Sequence, residues 1–182
     1  GCEVLSDNPE AAAAALESAP EGKRVPVVVL PPAAGSSGAD DTLPQLIVAA
    51  KSVPARDIKE LVAWLKANPG KGMVGTTGVG GASHLAAILF ANTTGTDIQT
   101  VPYRGAAPRM QDLLSGRIHL AFDQAASSLP QVRGGNLQAY AVTSKTRLAV
   151  APDIPTVDEA GLPGFYISVW HGLWSSKGTP KD

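Results

Sequence analysis

Past residue 42 the chain settles into short apolar runs separated by segments whose apolar residues recur at helical spacing. Gln45 to Ala50 is such a run and predicts a short buried strand. Asp57 stands where a helix N-cap would, and Glu60 three residues on completes a capping box. Ile58, Leu61, Val62 and Leu65 then share one helical face, and Asn68-Pro69-Gly70 stops the helix. Met73 to Thr76 reads as the next strand, followed by the glycine-rich turn Gly78-Val79-Gly80-Gly81-Ala82. Ser83 is placed to cap a helix with the core face Leu85, Ile88 and Leu89, ending near Gly95.

The alternation continues. Ile98 to Tyr103 predicts a strand, Arg104-Gly105-Ala106-Ala107 a turn, and Met110, Leu113 and Leu114 one face of a helix that stops at Gly116. Ile118 to Phe122 is a strand ending in Asp123-Gln124, and a short helix through Leu129 and Val132 closes at Gly134-Gly135. Leu137 to Thr143 is a further strand. Thr156 and Glu159 form a second capping box, opening a short helix that Gly161 ends, and Tyr166 to Leu173 is a last, aromatic-rich strand. Strands alternating with helices argue for an α/β fold with a mainly parallel sheet. Ligand sites in such sheets lie beyond the carboxyl ends of the strands, where helix N-termini also point. Three turns stand there: Thr76 to His84, Tyr103 to Ala107, and Asp123 to Ser128.

Residues 1–42 have another texture, with an alanine run, one apolar stretch from Val25 to Leu30, and the linker-like Pro31-Pro32-Ala33-Ala34-Gly35-Ser36-Ser37-Gly38. The run Ala11–Ala15 lies between Glu10 and Glu17, so it does not read as a signal peptide, which starts basic. The formal net charge of −1 excludes a strong electrostatic footprint for nucleic acid. No apolar stretch approaches the length of about 18 residues that would span a membrane. One cysteine, Cys2, excludes an internal disulfide and a cysteine-rich metal site, and Gly1-Cys2 admits a lipoprotein cleavage reading that lacks its signal sequence.

Candidate chemistry concentrates in the three turns. Glycines let a backbone approach a ligand, free N–H groups at a helix start favour an anion, and Thr76, Thr77 and Ser83 add hydroxyls. A tight turn that needs its glycines for geometry alone is the competing reading. No Gly-Lys-Ser/Thr follows the glycines, and Ser83 stands where a dinucleotide fingerprint has its third glycine. His84, His119 and His171 have no carboxylate at metal-ligand spacing, so no metal or other cofactor is implied. Arg104 suits either a carboxylate ligand or solvent. Asp123, ending an apolar strand, suits either a ligand hydroxyl or the cap of the next helix, and capping is the reading favoured by sequence. Ser127-Ser128 has no histidine and acid partner, and no nucleophile elbow is present, so catalysis has no support. Tyr166, Trp170 and Trp174 suit the core or a pocket wall.

The ordered series from Asn68-Pro69-Gly70-Lys71 and Gly75 to Leu85, through Val101 to Pro108, Asp112 to Gly116 and Phe122-Asp123, then Leu129 to Gly135, resembles a known family. Ala141 to Ser144, Pro152 to Gly164, Trp170 to Leu173 and Gly178-Thr179-Pro180 extend the match colinearly. It resembles the solute receptors of tripartite tricarboxylate transporters, the TctC or Bug family. The resemblance implies a periplasmic-binding-protein type II-like α/β fold of two lobes closing on a small organic acid, a di- or tricarboxylate or a related acid. It implies a periplasmic protein that hands solute to membrane permease subunits, with no catalysis. Carried onto this chain, it implies one complete lobe over residues 52–140. Residues 43–51 and 141–182 would be parts of the other lobe with hinge strands, and residues 1–42 an atypical N-terminal segment. The ligand-facing positions it implies are Thr76, Thr77, Gly78, Ser83 and His84, then Tyr103, Arg104 and Gly105, then Asp123 and Gln124. Residues 27–38 faintly echo the family's first ligand turn, but Leu43 follows too soon, so the expectation is a truncated receptor that binds carboxylates weakly. A ligand-presenting partner of a sensor protein and a non-functional fragment are the alternative readings.

Overall fold

A strand that is apolar on both faces has to be covered on both, and the helices here divide accordingly. The computed structural model describes residues 43–169, within the second of two units, residues 1–42 and 43–182. In chain order these are β1 (Leu43–Ala50), α1 (Ile58–Ala67), β2 (Gly72–Thr76), α2 (Ala82–Thr94), β3 (Ile98–Pro102), α3 (Ala106–Leu114), β4 (Leu120–Gln124), α4 (Ala125–Arg133), β5 (Leu137–Val142) and β6 (Ser168–Val169). The sheet order is β3-β2-β4-β1-β5, with β6 on β1.

The sheet is mixed, not mainly parallel in its pairings. β2 pairs in parallel with β3 and β4, whereas β1 lies antiparallel between β4 and β5. Apolar runs announce strands but carry no direction; direction comes from the connections, and β1 enters the sheet from the opposite end. A bulge in the β1–β5 ladder leaves Tyr140 as the extra residue, since Ile47 faces Ala141 and Val48 faces Ala139. Tyr140 can therefore turn into the same core as Ala141, and its hydroxyl donates to the Ala55 carbonyl at 3.0 Å.

Two apolar clusters fill the faces. One joins α1 and α2 to Ile47, Ala49, Val74 and Phe122, with Phe165 beside them. The other joins Leu113 of α3 and Leu129 of α4 to Leu46, Val48 and Ala121. Alternate residues of β1 thus go to opposite layers. Phe90, Phe122 and Phe165 form an aromatic triangle with ring centroids 5.7, 6.0 and 5.9 Å apart.

The α2 face departs from expectation. Leu85, Ile88 and Leu89 are 57%, 42% and 41% exposed, while Ser83, Ala86, Ala87, Phe90 and Thr94 are buried. Small residues let the helix lie close on the sheet, and Phe90 supplies the bulk. The first capping box forms by half. The Glu60 N–H donates to Asp57 Oδ1 at 2.8 Å, but the Glu60 carboxylate takes the N–H of Arg56 (2.8 Å) instead of that of Asp57. The second box closes in both directions, at 2.8 and 3.3 Å, yet turns follow it and no helix does. Gly161, at φ +91°, comes too soon for one. Of the last expected strand, Ser168–Val169 is seen, and Trp170 to Leu173 lie outside the described residues, as do Trp174 and the features expected within residues 1–42.

The two faces of α2 make opposite predictions. Phe90→Ala should cost about 3–5 kcal/mol in urea unfolding. Leu89→Ser should stay within about 0.5 kcal/mol of the parent protein. Equal losses would refute this placement of the helix.

Candidate functional site

β2 feeds α2 on one face of the sheet, while β3 and β4, on either side of it, feed α3 and α4 on the other. Helices leaving adjacent strands toward opposite faces open a crevice above the strand ends. A cleft of about 430 Å³ lies there, lined by Thr77, Ala82 and Ser83 from the β2–α2 turn, Ala106 and Arg109 from α3, and Phe122, Asp123, Gln124 and Ser127 from β4 and α4. Gln45 of β1 and Val169 of β6 complete its lining.

The β2–α2 turn is held by its own polar groups. Ser83 Oγ accepts the Thr77 N–H at 2.9 Å and lies 3.1 Å from Thr77 Oγ1. Ser83 is therefore an internal brace, and the N-cap is Gly81, whose carbonyl accepts from the N–H groups of His84 and Leu85. Ser83 is buried and Thr77 exposed, and either hydroxyl can donate to the other, so the Thr77 hydroxyl is the one of the pair free to turn its hydrogen toward the cleft. His84 Nδ1 accepts the Gly80 N–H at 3.1 Å and closes the turn. Gly78 and Gly80 have φ of +101° and +80°, with open space where a Cβ would stand. Their requirement is conformational.

The chemistry beneath the cleft centres on a pair the sequence did not suggest. Arg109, 2% exposed, runs its guanidinium to Asp123, 5% exposed, and forms an ion pair and hydrogen bond from Nη2 to Oδ1. Arg109 also donates to the Phe122 carbonyl at 3.3 Å. The other carboxylate oxygen of Asp123 accepts from Ser127 Oγ and Ser128 Oγ, both at 2.7 Å. Asp123 is thus the buried acceptor for α3 and α4 together; the α4 cap position is Gln124, without a side-chain cap bond. Gly75 makes room for the arginine stem: a Cβ there would meet Arg109 Cγ at 2.8 Å and Ile118 Cδ1 at 2.3 Å. Among the described residues Arg109 and Asp123 are the charged ones that line the cleft, and their pairing leaves that lining electrically balanced.

Of the ten expected positions, Thr77, Ser83, Asp123 and Gln124 line the cleft. Thr76 is buried beneath it. Gly78 and His84 shape the turn. Tyr103 is turned to α3, where its hydroxyl donates to Asp112 at 2.8 Å. Burial, and then the Asp112 carboxylate, raise the Tyr103 pKa, and the same hydrogen bond, with Arg117 alongside, lowers that of Asp112. Arg104 is exposed and Gly105 is the N-cap of α3. Sequence reasoning missed Gln45, Arg109 and Ser127. The available signal was that Arg109 lies four residues before Leu113, on its helical stripe, where a cation needs a buried acid. Among the described residues no group of three or more His, Cys, Asp or Glu is placed to hold a metal ion.

The chain resembles known proteins in sequence and in fold. The family model described as "Tripartite tricarboxylate transporter family receptor" matches residues 40–182. A curated relative from Agrobacterium vitis, "UPF0065 protein in the TAR-I ttuE-ttuC' intergenic region", is 43% identical over 145 residues, covering 80% of this chain and 42% of its own length. The solved structure titled "R. palustris Rpa4515 with adipate" superposes with a TM-score of 0.73 at 34% identity, over 77% of this chain and 47% of that one. "Structure of periplasmic binding protein BugD" gives 0.72 at 41% identity, with the same coverage of 77% and 47%. The chain therefore spans less than half the length of these proteins.

Removing one member of a buried ion pair strands the other. Asp123→Ala should destabilise by about 3–5 kcal/mol in urea unfolding, whereas the double change Arg109→Met with Asp123→Leu should recover at least half of that loss. A double variant as unstable as the single one would show that Arg109 is not paired as described.

Proposed function

This chain belongs to the tripartite tricarboxylate transporter receptor family, and from that premise we propose that it captures a small carboxylate in the cleft above β2 and β4. The observation that carries the reading is the convergence of the α2, α3 and α4 starts on one cleft whose charged pair is already neutralised within the protein. The first N–H groups of a helix have no partner inside it, and they carry partial positive charge. Ala82 and Ser83 at the start of α2 and Ala106 at the start of α3 bring such groups to the cleft, and the Thr77 hydroxyl adds a donor. Such a set favours a carboxylate over a cation or an apolar group.

The neighbour solved with adipate supports a short diacid as the ligand class, and BugD supports a periplasmic setting. In this reading residues 52–140, with β1 laid through their sheet, act as one wall of a two-walled site. Delivery to membrane permease subunits follows the family's transport role. The function is capture and release: the family and the solved neighbours are solute-binding receptors, not enzymes.

One wall gives modest affinity. Titrating residues 1–182 with succinate and following amide resonances should move Ala82, Ser83 and Ala106 together, with a dissociation constant of about 1 mM, about −4 kcal/mol. Dimethyl succinate, which lacks the charge, should leave them in place. Equal shifts with the diester, or none with the acid, would defeat the carboxylate reading.

A further inference from the structure

Gln45 is 3% exposed and lines the cleft, yet among the described residues nothing uses its side-chain oxygen. Its backbone is fully engaged by Thr143: the Gln45 N–H donates to Thr143 Oγ1 at 2.8 Å, and the Thr143 N–H donates to the Gln45 carbonyl at 2.8 Å. The strand is therefore pinned, and the side chain is not placed to serve the ladder. Gln45 Oε1 is buried with no donor among the described residues. Buried polar groups are almost always paired, so an orphan beside a cleft points to a partner that arrives from the cleft.

A second acceptor lies nearby. In the β1–β4 register Gln45 faces Gln124, and Ser127 follows one turn into α4. The Ser127 hydroxyl has one hydrogen, and both acceptors in its reach, Asp123 Oδ2 at 2.7 Å and the Gln124 carbonyl at 3.0 Å, belong to the protein. With that hydrogen committed inward, exposed Ser127 offers lone pairs to the cleft. The cleft is thus polarised. Donors stand at the α2 and α3 starts, and acceptors stand at Gln45 and Ser127.

We infer that Gln45 is a specificity-determining residue that selects carboxylates bearing a hydrogen-bond donor, a hydroxyl or an ammonium, on the carbon next to the acid. The inference rests on the carboxylate reading and deepens it: the acid sits on the helix starts while its neighbouring donor meets the Gln45 amide. A diacid without the donor leaves the oxygen orphaned.

Succinate, malate and aspartate differ only at that carbon and serve as the probes, titrated into residues 1–182 by the same amide shifts. Malate, aspartate or both should bind about tenfold more tightly than succinate, about 1.4 kcal/mol. Malate reports a hydroxyl partner and aspartate an ammonium. Gln45→Met should bring the favoured acid to within twofold of succinate. Because Met removes an unpaired acceptor, the unliganded variant should melt no lower than the parent protein. Equal affinities for all three acids in the parent protein, or a preference that survives Gln45→Met, would overturn the inference and leave carboxylate capture standing. A lower melting temperature would also overturn it, since the oxygen would then have a partner within the fold. No shift with any of the three acids would overturn both readings.

Discussion

The contact between Arg109 and Asp123 sets the position of everything around the cleft. It ties the second half of the first turn of α3 to the last residues of β4, and through Ser127 and Ser128 it fixes the first turn of α4 to the same carboxylate. Two helix starts are thereby referred to one acid. The pair needs space for its stem, which the missing side chain of Gly75 provides in the neighbouring strand. Three positions far apart in sequence are therefore interdependent. A side chain at 75, a neutral residue at 109 or an apolar residue at 123 would each disturb the other two. Such a network specifies more than it stabilises, since two buried charges in good contact roughly offset their own desolvation.

The sheet explains why the network lies where a ligand would. β2 is the strand whose helix lies on one face while the helices of both its neighbours lie on the other. The crevice is a consequence of that crossing and would exist with other side chains. What this sequence adds is its lining: one hydroxyl donor and helix starts on one side, and on the other a buried ion pair and acceptors. Antiparallel β1 brings Gln45 to the same end of the sheet as the carboxyl ends of β2 and β4, because Gln45 lies near the start of a strand that runs the opposite way. A parallel strand there would have placed its far end at the cleft. The direction of β1, which apolar spacing could not reveal, is therefore part of the site.

Much of the fold was legible. Strand and helix runs, the stop at Asn68-Pro69-Gly70 and the turns after β2 and β3 follow from apolar spacing and turn chemistry, and the structure has them; the expected turn Asp123 to Ser128 is instead a direct passage from β4 into α4. What was not legible has physical reasons. In α2 nearly every position is apolar or small, so periodicity could not say which stripe is buried, and the larger leucines were the wrong choice because alanines allow closer approach to the sheet. Arg109 drew no reading from the sequence because its partner lies fourteen positions on, in a strand. Asp123 looked like a cap, which is the local use of an aspartate before a helix, and the non-local use prevailed. Gln45 read as the first residue of a buried strand, and only its neighbours across the sheet show that it borders a cleft.

The balance of charge in the cleft bears on how a receptor of the proposed kind would work. An unpaired arginine would hold a carboxylate strongly, but in the empty protein it would be a buried charge without a partner, at a cost of several kcal/mol. Pairing it with Asp123 removes that cost and leaves the anion to helix-start N–H groups and a hydroxyl, which are neutral and stable when the cleft is empty. Such donors give modest attraction in an open cleft and stronger attraction once water is excluded, because the same dipoles act through a lower dielectric. In the proposed reading affinity would depend on closure, and release would need only that an opposite wall withdraw. For a protein whose task is to take up a solute and surrender it, a balanced cleft serves both halves of the task, whereas a free cation would serve the first alone.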